Sequence, residues 1–201
     1  VVVLPPPTAR APQSPEPSAR YFPETGHNVP PLFDRFWSEQ GGLRRFGYPL
    51  TEAFDEVSET DGGVYLTQYF ERARFELHPE YAGTKDHILL GLVGVETTMD
   101  RRAETAFRPI QPFTSTPDRF FFPETRHSLG GFFKRAWEER GGLPIFGYPI
   151  SEEFQELSET DGMVHVVQYF ERNRFEHHPD YAGSDDDSVT VPCALVPPVT
   201  L

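Results

Sequence analysis

Cysteine, methionine and basic charge are all scarce in this chain of 201 residues. The one cysteine, Cys193, excludes an internal disulfide framework and a multi-cysteine zinc site. Only 18 Lys and Arg stand against 31 Asp and Glu, for a formal net charge of −13. Nucleic-acid binding needs a basic face, and docking on an anionic membrane surface needs a polybasic patch, so neither is expected. No run approaches the roughly 18 apolar residues of a membrane span. The Val1–Leu4 stretch is far too short, and no signal-peptide pattern is visible. A chain that starts at Val reads as a mature or excised piece. Catalytic signatures are missing as well: there is no G-x-S-x-G, no H-E-x-x-H and no glycine-rich phosphate loop. Cys193 follows Pro192 in an apolar tail with no activating neighbour. No enzyme activity, catalytic residue, bound metal or cofactor is therefore expected. What the chain does have is rings and prolines: 18 Phe, 8 Tyr, 2 Trp and 21 Pro, enough aromatic side chain to build compact cores.

An internal repeat sets the organisation. Phe22-Pro-Glu-Thr25 recurs at 122–125, Gly41-Gly-Leu43 at 141–143, and Phe46-Gly-Tyr-Pro49 at 146–149. Ser58-Glu-Thr-Asp-Gly62 recurs at 158–162 and Gln68-Tyr-Phe-Glu-Arg72 at 168–172. The offset is 100 throughout, and 38 of the 63 pairs from residue 21 to 83 are identical. A gapless match of that length is a duplication. The expected division is a Pro-rich arm or linker (1–20), repeat one (21–96), a connector (97–118), repeat two (119–196) and a tail (197–201).

Each copy has a readable local plan. Pro30-Pro31 suits a helix start, and Phe33, Phe36 and Trp37 fall on one face at helical spacing. Gly41-Gly42 ends that helix. Three β-type runs follow, at 54–57, 64–70 and 74–78, with a Thr60-Asp-Gly62 turn signal between the first two. Ala73 and Asn173 stand where the last two strands turn, a place where Asn tolerates left-handed backbone. The fold class expected is α+β: two tandem copies of a short helix on a small antiparallel β-meander, with an extended N-terminal arm and a C-terminal tail.

This run of motifs, from Phe-Pro-Glu-Thr through Gly-Gly-Leu and Phe-Gly-Tyr-Pro to Gln-Tyr-Phe-Glu-Arg and His-Pro, resembles the LGFP-type repeat of bacterial secreted and cell-surface proteins. The resemblance covers roughly residues 21–94 and 121–188. The name motif Leu-Gly-Phe-Pro is here Phe46-Gly-Tyr-Pro49, which keeps the aromatic, Gly and Pro pattern. The resemblance implies an extracellular, non-catalytic repeat protein that associates with the cell wall, as a spacer or as a binding module for glycan or peptidoglycan.

Several residues carry candidate chemistry. Tyr48 and Tyr148, and with them Trp37 and Trp137, offer flat faces of the kind that pack on sugar rings. The plainer reading of Phe-Gly-Tyr-Pro is a structural turn. Glu71, Arg72, Arg74 and Glu76, repeated as Glu171, Arg172, Arg174 and Glu176, supply paired carboxylates such as glycosidases use. Arginine beside each keeps a carboxylate ionised rather than protonated, so a structural ion-pair motif on one sheet face is the preferred reading. His27, His127, His78, His178 and the His177-His178 doublet, with Asp180, match no zinc spacing. Ser184-Asp-Asp-Asp-Ser188 lacks the pattern of a calcium loop and reads as solvated. The apolar ends, Val1, Val2, Val3 and Leu4 and then Val189 and Val191, have two readings: docking on their own repeat, or strand addition to a neighbouring copy, head to tail, in a filament. Two functions are thus expected, a wall-associated module first and a filament subunit second.

Overall fold

The structure, a computed structural model, describes residues 5–58, 60–158 and 161–178, and the backbone of 188–191. It is α+β, and the described chain divides into two compact units, one ending at Val93 and the other beginning at Gly94. The first unit opens with a single helical turn, α1 (Pro7–Arg10), and a small hairpin, β1 (Arg20–Phe22) and β2 (His27–Val29). Two helices follow, α2 (Pro31–Glu39) and α3 (Gly42–Phe46). An antiparallel sheet ordered β3 (Phe54–Val57), β4 (Val64–Phe70), β5 (Ala73–Leu77) and β6 (Ile88–Leu90) completes it. After α4 (Val93–Thr97), the second unit repeats the plan with β7 (Arg119–Phe122), β8 (His127–Gly130), α5 (Gly131–Glu139), α6 (Gly142–Phe146), β9 (Phe154–Leu157), β10 (Val164–Tyr169), β11 (Arg174–His177) and β12 (Ser188–Val191).

The long helix begins at the predicted proline. The sheet, however, has four strands where three are expected. The fourth, β6 or β12, pairs with β5 or β11. The hairpin β1–β2 and the helix α3 are further elements that the sequence pattern does not reveal. Residues 71–72 make the turn between β4 and β5, whose end pair is Phe70 with Ala73, so Ala73 belongs to the strand. Asn173 needs no left-handed backbone either. The one non-glycine residue with positive φ among the described residues is Arg126 (φ 58), at the position where the first copy has Gly26 (φ 72).

One sheet face packs under the helices around a phenylalanine hub. Phe75 is fully buried, with the rings of Phe33, Phe36, Phe46 and Phe70 centred 5.9, 5.0, 4.8 and 4.3 Å away. Phe175 repeats this with Phe133, Phe146 and Phe170, and Ala136 stands where the first copy has Phe36. Beside each hub a buried glutamine ties the layers together. Gln68 Nε2 donates to the carbonyls of Asn28 and Thr51, and Gln168 Nε2 to those of Ser128 and Ser151, at 2.7–2.9 Å.

The segments expected to be linkers cover the other sheet face. Ala9 is buried, and its carbonyl accepts from the Glu52 N–H at 2.7 Å; Ala106 does the same for Glu152. Gln13 N–H donates to Gly26 and Ile110 N–H to Arg126. In the second unit Ala106 and Phe107 pack with Ile150, Phe154, Val167 and Tyr169. Arg101 lies over the Phe107, Phe154 and Tyr169 rings. Residues of the 1–20 and 97–118 stretches are thus a third layer of each copy. The centre of the sheet is buried on both faces, and Arg74 and Glu76 are nearly as buried as Phe75. The Ser188–Val191 strand lies on its own sheet, so Val189 and Val191 pair with Glu176 and Arg174. Val1, Val2, Val3 and Leu4 lie outside the described residues, as do Asp180, Cys193 and residues 184–187.

Candidate functional site

The residues identical in the two copies hold the fold. In Phe46-Gly-Tyr-Pro49, Gly47 takes φ 74, and a Cβ there would overlap the Glu71 side chain. That close approach lets Glu71 Oε2 accept from the Tyr48 N–H at 3.2 Å, while Glu171 accepts from Tyr148 at 2.9 Å. Arg72 and Arg172 donate to the carbonyls of Leu43 and Leu143. The predicted ion-pair motif therefore has two parts. Glu71 with Arg72, and Glu171 with Arg172, pin the β4–β5 or β10–β11 turn to the Phe-Gly-Tyr-Pro loop. Arg74 with Glu76 (2.6 Å), and Arg174 with Glu176, form a buried pair on the second sheet face. Tyr69 and Tyr169 hydroxyls join that pair to Glu56 and Glu156. Burial first, and then the neighbouring carboxylate of Glu156, pushes the Tyr169 phenol up to about 12.

The tryptophans sit beneath the same loop. Trp37 is buried, and its indole N–H donates to the Gly47 carbonyl at 3.0 Å; half-buried Trp137 donates to Gly147 at 3.1 Å. The tyrosines lie at the loop surface. Tyr48 and Tyr148 are half-buried, edge-on to Phe22 and Phe122. Burial and the exposed Glu124 carboxylate hold the Tyr148 phenol above its usual range. An aromatic face with a carboxylate at its polar tip is a combination suited to a sugar ring and its hydroxyls.

A second polar cluster has the wrong order for nucleophilic catalysis. His127 Nδ1 and the Ser128 hydroxyl both bond to Glu152, at 3.2 and 2.5 Å. The carboxylate lies between imidazole and hydroxyl, whereas a triad needs the imidazole in the middle. Burial pushes Glu152 up, but the hydrogen bonds from His127 and Ser128 outweigh it and hold the carboxylate below its usual range.

One place distinguishes the copies chemically. Asp161, His165 and His178 each present a ligand atom, and these atoms lie within 4.8 Å of one another. Asp161 sits in the β9–β10 hairpin, where Oδ1 accepts from the Met163 N–H at 2.9 Å. Its Oδ2 meets His165 Nε2 at 2.8 Å. His165 on β10 and His178, just past β11, are one step beyond the Val166–His177 cross-strand pair, and their rings are centred 4.0 Å apart. Met163 N–H first, and His165 second, hold Asp161 below its usual range. Neighbouring residues in a strand point to opposite faces, so the His177-His178 doublet is divided. His177 packs on Phe132, its ring 4.3 Å away. In the first copy Tyr65 replaces His165. Its hydroxyl donates to Asp61 at 2.8 Å, which pushes the phenol up to about 12. The sequence pattern does not single out His165, because no motif spacing joins a hairpin residue to two strands. The only trace in the sequence is that His165 stands where the first copy has Tyr65, one of many differences between the copies.

Compared with protein-family models, curated proteins and solved structures, the chain matches none.

Proposed function

We propose that this chain is a non-catalytic tandem module that associates with the bacterial cell wall outside the cell, through glycan contacts made once by each copy. The observation that carries this reading is the division of labour around Phe-Gly-Tyr-Pro. Gly47 and Trp37 are buried beneath the loop, while Tyr48 is half-buried at its surface with its N–H held by Glu71; in the second copy Gly147 is buried, Glu171 holds the Tyr148 N–H, and Trp137 and Tyr148 are both half-buried. Hydrogen bonds from His127 and Ser128 hold Glu152 below its usual range, the opposite of the raised pKa that a glycosidase acid needs. Two equal weak contacts on one chain reinforce each other by effective concentration. The test is co-sedimentation with purified peptidoglycan sacculi. The double variant Tyr48→Ala/Tyr148→Ala is expected to bind roughly tenfold more weakly or worse, because losing one of two linked contacts already removes the avidity gain. Unchanged pelleting of the double variant would refute the aromatic contact.

A filament subunit is the second reading, and one observation favours it. The outer strands β3 and β9 each end in an exposed apolar cross-strand pair, Val57 with Val64 and Leu157 with Val164. Apolar edge strands invite pairing with another chain. Regular fibres of the intact chain in negative stain, lost in Val57→Lys/Leu157→Lys, are the outcome this reading expects. Monodisperse particles at every concentration would remove it.

A further inference from the structure

We propose that Asp161, His165 and His178 bind one divalent transition-metal ion, of the zinc, cobalt or nickel type, in the second copy only. Two imidazoles and one carboxylate form the donor set that such ions favour, whereas calcium and magnesium prefer all-oxygen sites. Ligand atoms about a tetrahedral ion at 2.0–2.1 Å stand roughly 3.3 Å apart. Here the three donors already lie within 4.8 Å, with Asp161 and His165 at 2.8 Å, so small side-chain movements complete the geometry.

The surroundings support each ligand. Met163 N–H fixes Asp161 Oδ1 and leaves Oδ2 turned toward the imidazoles. Glu176 Oε2 meets His178 Nε2 at 3.1 Å, and the Glu176 side chain is wholly buried against Arg174. A carboxylate that accepts a hydrogen bond from Nε2–H holds a histidine in the tautomer whose Nδ1 lone pair binds metal, a recurrent arrangement behind metal-ligating histidines. His165 is buried on the strand, while Asp161 is exposed, so the ion reaches the site from solvent and keeps an outward position for water or for a group on another molecule. The ion would join the β9–β10 hairpin to the end of β11.

The first copy is a built-in control. Asp61, Tyr65 and His78 occupy the same positions, with Tyr65 bonded to Asp61 at 2.8 Å and its ring centred 3.9 Å from His78. A neutral phenol is a poor substitute for imidazole as a ligand, yet the local fold accommodates it. His165→Tyr therefore removes a ligand while installing a residue that this scaffold already carries. The experiment strips the intact chain with a chelator and titrates it with zinc against a chromophoric competitor. A parallel cobalt titration reports coordination by its visible absorption. The wild type is expected to take one ion per chain, and His165→Tyr to bind at least tenfold more weakly with unchanged circular dichroism. No competitive binding by the wild type, or equal binding by His165→Tyr, would overturn the proposal. Sedimentation with sacculi is scored separately, so failure here is distinguishable from failure of the wall-binding reading.

Discussion

Replacing Phe75 with alanine is expected to lower stability by about 3–5 kcal/mol, the usual cost of a large-to-small change in a close-packed core. Phe75 is fully buried, and four other phenylalanine rings meet it with centroids no farther than 5.9 Å. The α2 helix, the α3 helix and the sheet all contribute rings to that contact, so none can close the cavity without leaving another neighbour. In a unit of this size, ~3 kcal/mol corresponds to more than ~10 °C in melting temperature. Phe75→Leu keeps most of the volume and is expected to cost less than half as much. Urea unfolding of the two variants checks the order. Equal, small losses for both would show that Phe75 is not the hub.

Glu76→Ala is expected to cost a similar ~3–5 kcal/mol for a different reason. Arg74 Nε and Nη2 donate to Glu76 Oε1 at 2.9 and 2.6 Å, and both side chains are nearly inaccessible. Removing the carboxylate leaves a buried guanidinium without that counter-charge, and desolvation of the ion is no longer offset. The double variant Arg74→Leu/Glu76→Leu removes both charges and is expected to recover much of the loss, since buried pairs are often replaceable by apolar residues. Denaturant midpoints of the single and double variants check this. A single variant within 1 kcal/mol of wild type, the range of exposed pairs, would mean that the pair faces solvent.

These two predictions also mark where sequence reading succeeds and where it stops. The duplication, the helix from Pro31 and the strands at 54–57 and 64–70 are all legible, because period and turn residues are local signals. Phe75 is legible as a buried position from strand alternation. Arg74 and Glu76 are not, since the same alternation assigns them to a solvated face. The third layer enters through main-chain hydrogen bonds at Ala9 and Ala106 and, in the second copy, through the buried Phe107 ring, and strand alternation reveals none of these. That layer does leave a trace: Thr8-Ala9-x-x-Pro12 recurs as Thr105-Ala106-x-x-Pro109 at an offset of 97. A gapless comparison at 100 passes over it. The candidate sites divide in the same way. Tyr48 and Tyr148 follow from a motif, but Trp37 in that neighbourhood is buried, which spacing alone does not show. His165 stands out only once the fold places it opposite His178.

The proposed function requires that residues shared by the two copies build a scaffold that holds wall polymer without cutting it. The most direct measurement incubates the intact chain with purified sacculi and quantifies pelleted protein and released soluble muropeptides in the same tubes. The account predicts protein in the pellet and no release above the protein-free control. Protein left in the supernatant, or muropeptides accumulating with time, would contradict it.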